Sequence, residues 1–254
     1  MSELSLLLCG DYQDYDDELS KILEQLATTI NNLAPKCCEF ITTENSDISI
    51  FGAYCGRSIL ETACTILIGR ITPYRLLLLK RYQEHESYSL GIPHKASIQW
   101  QGDVISKAAP SEPLWKRIDD NSLTTPLLSK YMAEIFWIPA FEQFLDDFED
   151  EESIYLNSLR QRPLEPEKII DYFRSEAKTL YSSLSKGIHQ EFVTSIDTVY
   201  DVQTLKNLLR ETLDLVTKMA LISHYIPTVN TKIDKVQILA NLHIFEENLG
   251  LSNE

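Results

Sequence analysis

Arg57 and Glu61 are the first residues whose types and spacing are suited to binding chemistry. They lie four positions apart within a stretch that is otherwise apolar, so on a helix they share one face. Such a pair can be held inward as an anchor for a ligand or a partner. The same spacing also suits a structural ion pair at the start of a helix. We treat the pair as a candidate binding site and leave both interpretations open.

A second candidate is a cluster of basic residues with tyrosines between them: Arg70, Tyr74, Arg75, Lys80, Arg81 and Tyr82. The planar fork of arginine matches phosphate and carboxylate groups. Because this is the only concentrated positive region of an acidic chain, it predicts a local contact with nucleic acid or a nucleotide. The alternative is a solvated face whose charges offset neighbouring acidic residues.

A third candidate is the histidine in Leu184-Ser-Lys-Gly-Ile-His189, at the end of a predicted helix with Lys186 three residues before it. Over about a dozen residues this stretch resembles the HEPN helical superfamily. In HEPN ribonucleases an arginine, separated from the histidine by four to six residues, helps to activate the RNA 2′-hydroxyl. Here the nearest preceding arginine, Arg174, is fifteen residues away.

The resemblance therefore implies a non-catalytic HEPN-like subunit of a bacterial multi-component system, such as antiphage defence. The alternative that it implies is a metal-independent ribonuclease that uses His189 and Lys186. A purely structural histidine, placed near the negative end of a helix dipole, also fits the pattern.

Other catalytic and metal-binding patterns are missing from the sequence. The remaining histidines form neither His-x3-His nor His-Glu-x-x-His, and they are His85, His94, His224 and His243. An acidic run over 142–152 lacks the spacing of a calcium-binding loop. We read that run as a solvated helix end, with a cation site or a basic partner as alternatives. No phosphate-binding loop, dinucleotide fingerprint or nucleophile elbow occurs, so we predict no metal and no cofactor.

The composition favours a globular protein with a protein partner. Of 254 residues 44% are hydrophobic, and the formal net charge is −15. Phosphate backbones repel so acidic a surface, which disfavours nucleic-acid binding except through the local basic patch at 70–81. An acidic face also suits a basic protein partner.

Cysteine usage and hydropathy predict a cytoplasmic protein that does not enter a membrane. The five cysteines form no Cys-x-x-Cys pair, which is typical of reduced thiols rather than a disulfide framework. No apolar run reaches the ~18 residues that span a bilayer. The longest candidate, 59–79, is interrupted by Arg70, Pro73 and Arg75.

Apolar residues recurring every three or four positions predict a mainly α fold of about seven or eight helices. The predicted helices cover 13–34, 53–71, 73–85, 125–148, 165–186, 203–226 and 233–249. We expect Pro35 to end the first, a short strand at 39–43, and a bend at Pro139. Residues 86–110 lose the helical period and predict a small β hairpin or an irregular loop. The chain is thus expected to form one compact unit, with a possible division into halves 1–110 and 111–254.

Overall fold

The computed structural model describes residues 2–12, 18–89, 91, 96–106, 126–161, 165–188 and 200–251. Over these ranges the protein is all α, which confirms the predicted fold class. Ten α-helices occur there, namely α1 (Glu3–Cys9), α2 (Glu18–Thr42), α3 (Ile48–Ile71), α4 (Pro73–Gln83), α5 (Lys130–Met132), α6 (Ile138–Asp147), α7 (Ile154–Gln161), α8 (Ile169–Lys186), α9 (Val202–Ser223) and α10 (Lys235–Asn248).

The central element of the fold is α3, which is apolar on nearly every face and is largely buried. It packs against α2 on one side and against α8 and α9 on the other. A helix without a polar face has to be surrounded by other elements, and this explains its place in the bundle. The buried hydrophobic residues form one cluster that draws on both 1–110 and 126–251.

The prediction that the helix over 13–34 ends at Pro35 is wrong. α2 continues through Pro35 to Thr42, so the predicted strand at 39–43 is helical instead. A proline inside a helix costs about 3 kcal/mol because it removes one hydrogen bond and crowds the preceding turn. Phe40 and Ile41 lie in the core beyond it, and burying such side chains stabilises by about 1.5–3 kcal/mol each, which offsets that cost.

The helix predicted over 125–148 begins later and changes type before Pro139. Ser129 caps it by accepting a hydrogen bond from the Met132 amide at 3.4 Å, and Thr125 lies outside the described residues. A π-helical turn, Ala133–Trp137, precedes α6, and Pro139 sits in the first turn of α6. A proline is tolerated there because the first amides of a helix have no partner in the helix.

Of the predicted irregular region, 86–89, 91 and 96–106 are described. The part over 96–106, which we call the strap, contains one tight turn at Trp100–Val104 and a single bridge between Gln101 and Ile105. Gly102 has a φ of 119° in that turn, a conformation that glycine adopts without strain. The irregular loop is therefore the correct alternative for the strap, rather than a hairpin.

Two short helices, α1 and α7, were not predicted. Ser153 begins α7 by accepting a hydrogen bond from the Leu156 amide at 3.4 Å. The buried carboxylate of Glu246 accepts a hydrogen bond from the Ser153 hydroxyl at 2.6 Å. These contacts join α7 to α10.

Among the described residues, no single helix is both long enough and apolar enough to cross a membrane. α3 and α4 meet that test only when taken together, and they are bent by 112° where they join.

Candidate functional site

A cleft that we call the main cleft lies between α2, α3, α4 and the strap. It has a volume of about 660 Å³. Its apolar lining consists of Ile22, Leu26, Leu76, Leu79, Ile98, Trp100 and Val104. The rim carries Lys21, Glu61, Lys80 and Glu84, so an apolar floor is bordered by charges of both signs, as in many ligand sites.

Arg75 fixes the strap over one end of this cleft. Its guanidinium forms an ion pair with the carboxylate of Asp103. The second oxygen of that carboxylate accepts a hydrogen bond from the Gln99 amide at 2.7 Å. From the other end of α4, the side-chain amide of Gln83 donates to the Ala96 carbonyl at 2.6 Å. Arg75 therefore positions a wall of the cleft, because its guanidinium is largely buried against the strap.

Arg57 and Glu61 do share a helix face, as their spacing predicts. The Arg57 Nε lies 3.1 Å from Glu61 Oε1, and its Nη2 donates to the Tyr181 hydroxyl at 2.8 Å. The guanidinium carbon also lies 4.7 Å from the centre of the Tyr181 ring. Trp100 stacks on that ring with a centroid separation of 4.2 Å. Arg57 thus ties α3 to α8 beside the strap, while the side chain of Glu61, which lines the cleft, remains 45% exposed.

Lys80 and Arg81 are paired with nearby carboxylates at the rim. The Lys80 Nζ lies 2.9 Å from Glu84 and 3.4 Å from Glu18. Its hydrogen bond to Glu84 raises the pKa of Lys80 and lowers the pKa of that glutamate. Arg81 is 70% exposed and lies 3.7 Å from the Glu18 carboxylate. Acidic neighbours therefore offset much of the positive charge that the sequence predicts for 70–81.

Arg70 lies apart from the other cations of its cluster, inside the core. Its five N–H groups are used by five acceptors: the carbonyls of Leu8 and Thr231, the hydroxyls of Ser223 and Thr231, and Nδ1 of His224. All of these acceptors are uncharged, and burial lowers the pKa of Arg70 to about 10. Arg70 therefore joins α1, α3, α9 and the loop after α9, and it has no donor left for a ligand.

His224 takes part in the same buried network as a neutral ring. Its Nδ1 faces two donors, the Arg70 guanidinium at 3.2 Å and the Ile233 amide at 3.3 Å. Nε2 must therefore carry the proton, and it donates to the Leu7 carbonyl at 2.8 Å. Burial and the adjacent Arg70 charge hold the pKa of His224 well below its ordinary value.

The proposed ribonuclease residues are only partly within the described region. Lys186 is exposed in the last turn of α8, whereas His189 lies outside the described residues. Of the arginines that could accompany it, Arg174 donates to the Leu128 carbonyl and pairs with Asp171. Over the ranges that the structure covers, no group of three or more His, Cys, Asp or Glu side chains is placed to hold a metal ion.

Sequence reasoning did not find the cleft or its α2 wall. A signal for that wall was present, because Ile22, Leu26, Thr29 and Leu33 recur at i, i+4, i+7 and i+11. The structure places the core on Leu23, Ala27, Ile30 and Ala34 and leaves the neighbouring stripe half-buried at the cleft.

Comparison of the chain with protein-family models, with curated proteins and with solved structures found no match.

Proposed function

We propose that this chain is a non-enzymatic helical interaction subunit of a bacterial multi-component assembly, and that the outer face of α4 is its contact surface. The observation that carries the proposal is the exposure of Tyr74, Leu78 and Tyr82. Their exposed fractions are 72%, 37% and 57%. Since they recur at i, i+4 and i+8, they form one stripe along the helix.

The composition of this stripe supports a protein partner. α4 contains four consecutive leucines, but Leu76 is the only residue of the helix that is fully buried. The exposed Arg81 lies beside Leu78, one turn further along. Tyrosine and arginine are enriched among the residues that dominate binding energy at protein interfaces. A contiguous apolar stripe of this kind differs from the isolated exposed apolar residues that occur on any surface.

The charge of the chain favours a different protein over a second copy. Two copies with a formal net charge of −15 each repel one another at long range, whereas a basic partner is attracted. We also place the assembly in the cytoplasm, where the five cysteines, all free thiols in the structure, remain reduced. A role in antiphage defence rests on the HEPN resemblance alone.

The test replaces Leu78 by glutamate at the native locus, with Val236→Glu as the control. Val236 is 75% exposed on α10, so both changes add one carboxylate at an exposed apolar position. We expect the wild type and Val236→Glu to elute from native extracts in a complex larger than the 29.2 kDa chain. Leu78→Glu should elute as the free chain. Equal elution of all three proteins would contradict the proposal.

A further inference from the structure

A groove runs along the seam of α2 and α3 on the inner side of α4, opposite the Tyr74 stripe. The main cleft adjoins a second cavity of about 370 Å³. The two cavities share Glu61 and Thr62 and both lie along α2 and α3, so we treat them as one groove. From Lys21 to Leu33 the α2 wall covers thirteen residues, and the twelve steps between them at 1.5 Å each give about 18 Å, or about three helical turns.

Both walls of the groove carry side chains at the same helical period. On α2 the stripe is Ile22, Leu26, Thr29 and Leu33. On α3 it is Tyr54, Ser58, Glu61 and Thr65, again at i, i+4, i+7 and i+11. Two adjacent helices with parallel stripes of this spacing leave a seam that a third helix can fill, as in a helical bundle.

Two of the threonines that line the groove, Thr29 and Thr65, make hydrogen bonds within their own helices. The Thr29 hydroxyl donates to the Gln25 carbonyl at 3.3 Å, and the Thr65 hydroxyl donates to the Glu61 carbonyl at 2.9 Å. The proton of each hydroxyl is therefore used within its own helix, and a ligand can contact the methyl group or the hydroxyl oxygen as an acceptor.

Glu61 is the one charged residue that lines both cavities. Its side chain is 45% exposed although the Arg57 Nε lies 3.1 Å from Glu61 Oε1. A cation on the ligand can thus approach this carboxylate from the groove. The net charge of −15 attracts such a ligand at long range.

We propose that this groove binds one amphipathic α-helix of a partner protein, with two apolar anchors in the main cleft, a lysine or arginine at Glu61, and a third apolar anchor between Leu33 and Tyr54. The anchors then follow the spacing i, i+4 and i+11, with the basic residue at i+7. This inference rests on the proposed function, since it names the chemistry of a partner, but it concerns the opposite face of α4.

The probe is a fluorescein-labelled, acetylated and amidated 16-residue peptide of alanine and glutamine, with leucine at positions 2, 6 and 13 and lysine at position 9. A second peptide has the same composition in scrambled order. Fluorescence anisotropy against the purified full chain should give a Kd on the order of 10 μM for the patterned peptide. The scrambled peptide should bind at least about tenfold more weakly.

Leu26→Lys and Glu61→Lys should each weaken binding of the patterned peptide at least about tenfold, a change of about 1.4 kcal/mol. Val236→Lys and Glu247→Lys on α10 make the same changes in charge at exposed positions, and both should bind within about twofold of the wild type. A peptide with glutamate at position 9 should recover affinity for Glu61→Lys. Melting temperatures near the wild-type value establish that the variants are folded.

The inference is overturned if both peptides bind equally, or if the α10 variants lose as much affinity as the groove variants. It is also overturned if sedimentation shows a wild-type dimer that Leu26→Lys dissolves, since a second copy would then occupy the groove. Leu78→Glu should leave peptide binding unchanged. Failure of the groove and failure of the α4 surface can therefore be told apart.

Discussion

Replacing Arg70 by methionine tests whether this arginine is structural. The substitution removes the guanidinium but keeps an unbranched side chain in the core. The hydroxyl of Ser223 still donates to the Ala220 carbonyl, and His224 Nδ1 still accepts from the Ile233 amide. The carbonyls of Leu8 and Thr231 lose the guanidinium donors that they have in the wild type.

A buried polar group without a partner costs about 1–3 kcal/mol, so the two carbonyls together cost about 2–6 kcal/mol. The substitution also removes the cost of burying a charged group, which offsets part of this loss. We therefore expect the free energy of unfolding to fall by about 3 kcal/mol. Arg70→Lys keeps the charge but has three donors on one nitrogen for five acceptors. Its free energy of unfolding should therefore lie between those of Arg70→Met and the wild type.

Urea unfolding followed by circular dichroism measures these differences. Arg81→Met is the matched control from the same sequence cluster, and it should change the free energy by less than about 0.5 kcal/mol because Arg81 is exposed. If Arg70→Met were within about 1 kcal/mol of the wild type, the five hydrogen bonds could not be holding α1, α3 and α9 together.

Three further predictions follow from the same structure. Buried His224 stays neutral, while the unfolded chain takes up a proton at this residue below about pH 6.5. His224 should therefore lower the free energy of unfolding by about 1.4 kcal/mol per pH unit below that pH. Thermal unfolding of His224→Asn should depend less steeply on pH, and an unchanged slope would contradict the assignment of His224 as a neutral buried ring. Leu213→Ala, fully buried in α9, should cost about 2–5 kcal/mol in urea unfolding, and a silent substitution would contradict its core position. Purified protein should leave total RNA intact with or without EDTA, whereas cleavage that His189→Ala abolishes would support the ribonuclease instead.

The helices were predictable because their signals are local. The boundary between the helices predicted over 53–71 and 73–85, and the end of the helix predicted over 233–249, each depend on a few neighbouring residues, and both agree with the structure. The effect of Pro35 was not predictable in this way, since the packing of Phe40 and Ile41 depends on distant helices. The same limit hid the short helix α7, whose start depends on Glu246 from α10.

The site was less predictable, because the sequence cluster at 70–81 spans the sharp bend between α3 and α4. Arg70 precedes the bend and enters the core, while Arg75, Lys80 and Arg81 follow it and line the strap and the rim. Residues that are close in sequence therefore contact different parts of the fold. Conversely, Glu61 and Leu26 border one groove only because α2 and α3 pack side by side.

The most direct test of the proposed function is site-specific photo-cross-linking in the cells that make the protein. A photoreactive phenylalanine analogue is placed at Leu78, on the outer face of α4, or at Val236, on α10, as the control. We predict one discrete cross-linked product at position 78 that contains a different, basic protein, and no such product at position 236. Cross-linking only to a second copy of the chain, or equal products at both positions, would contradict it.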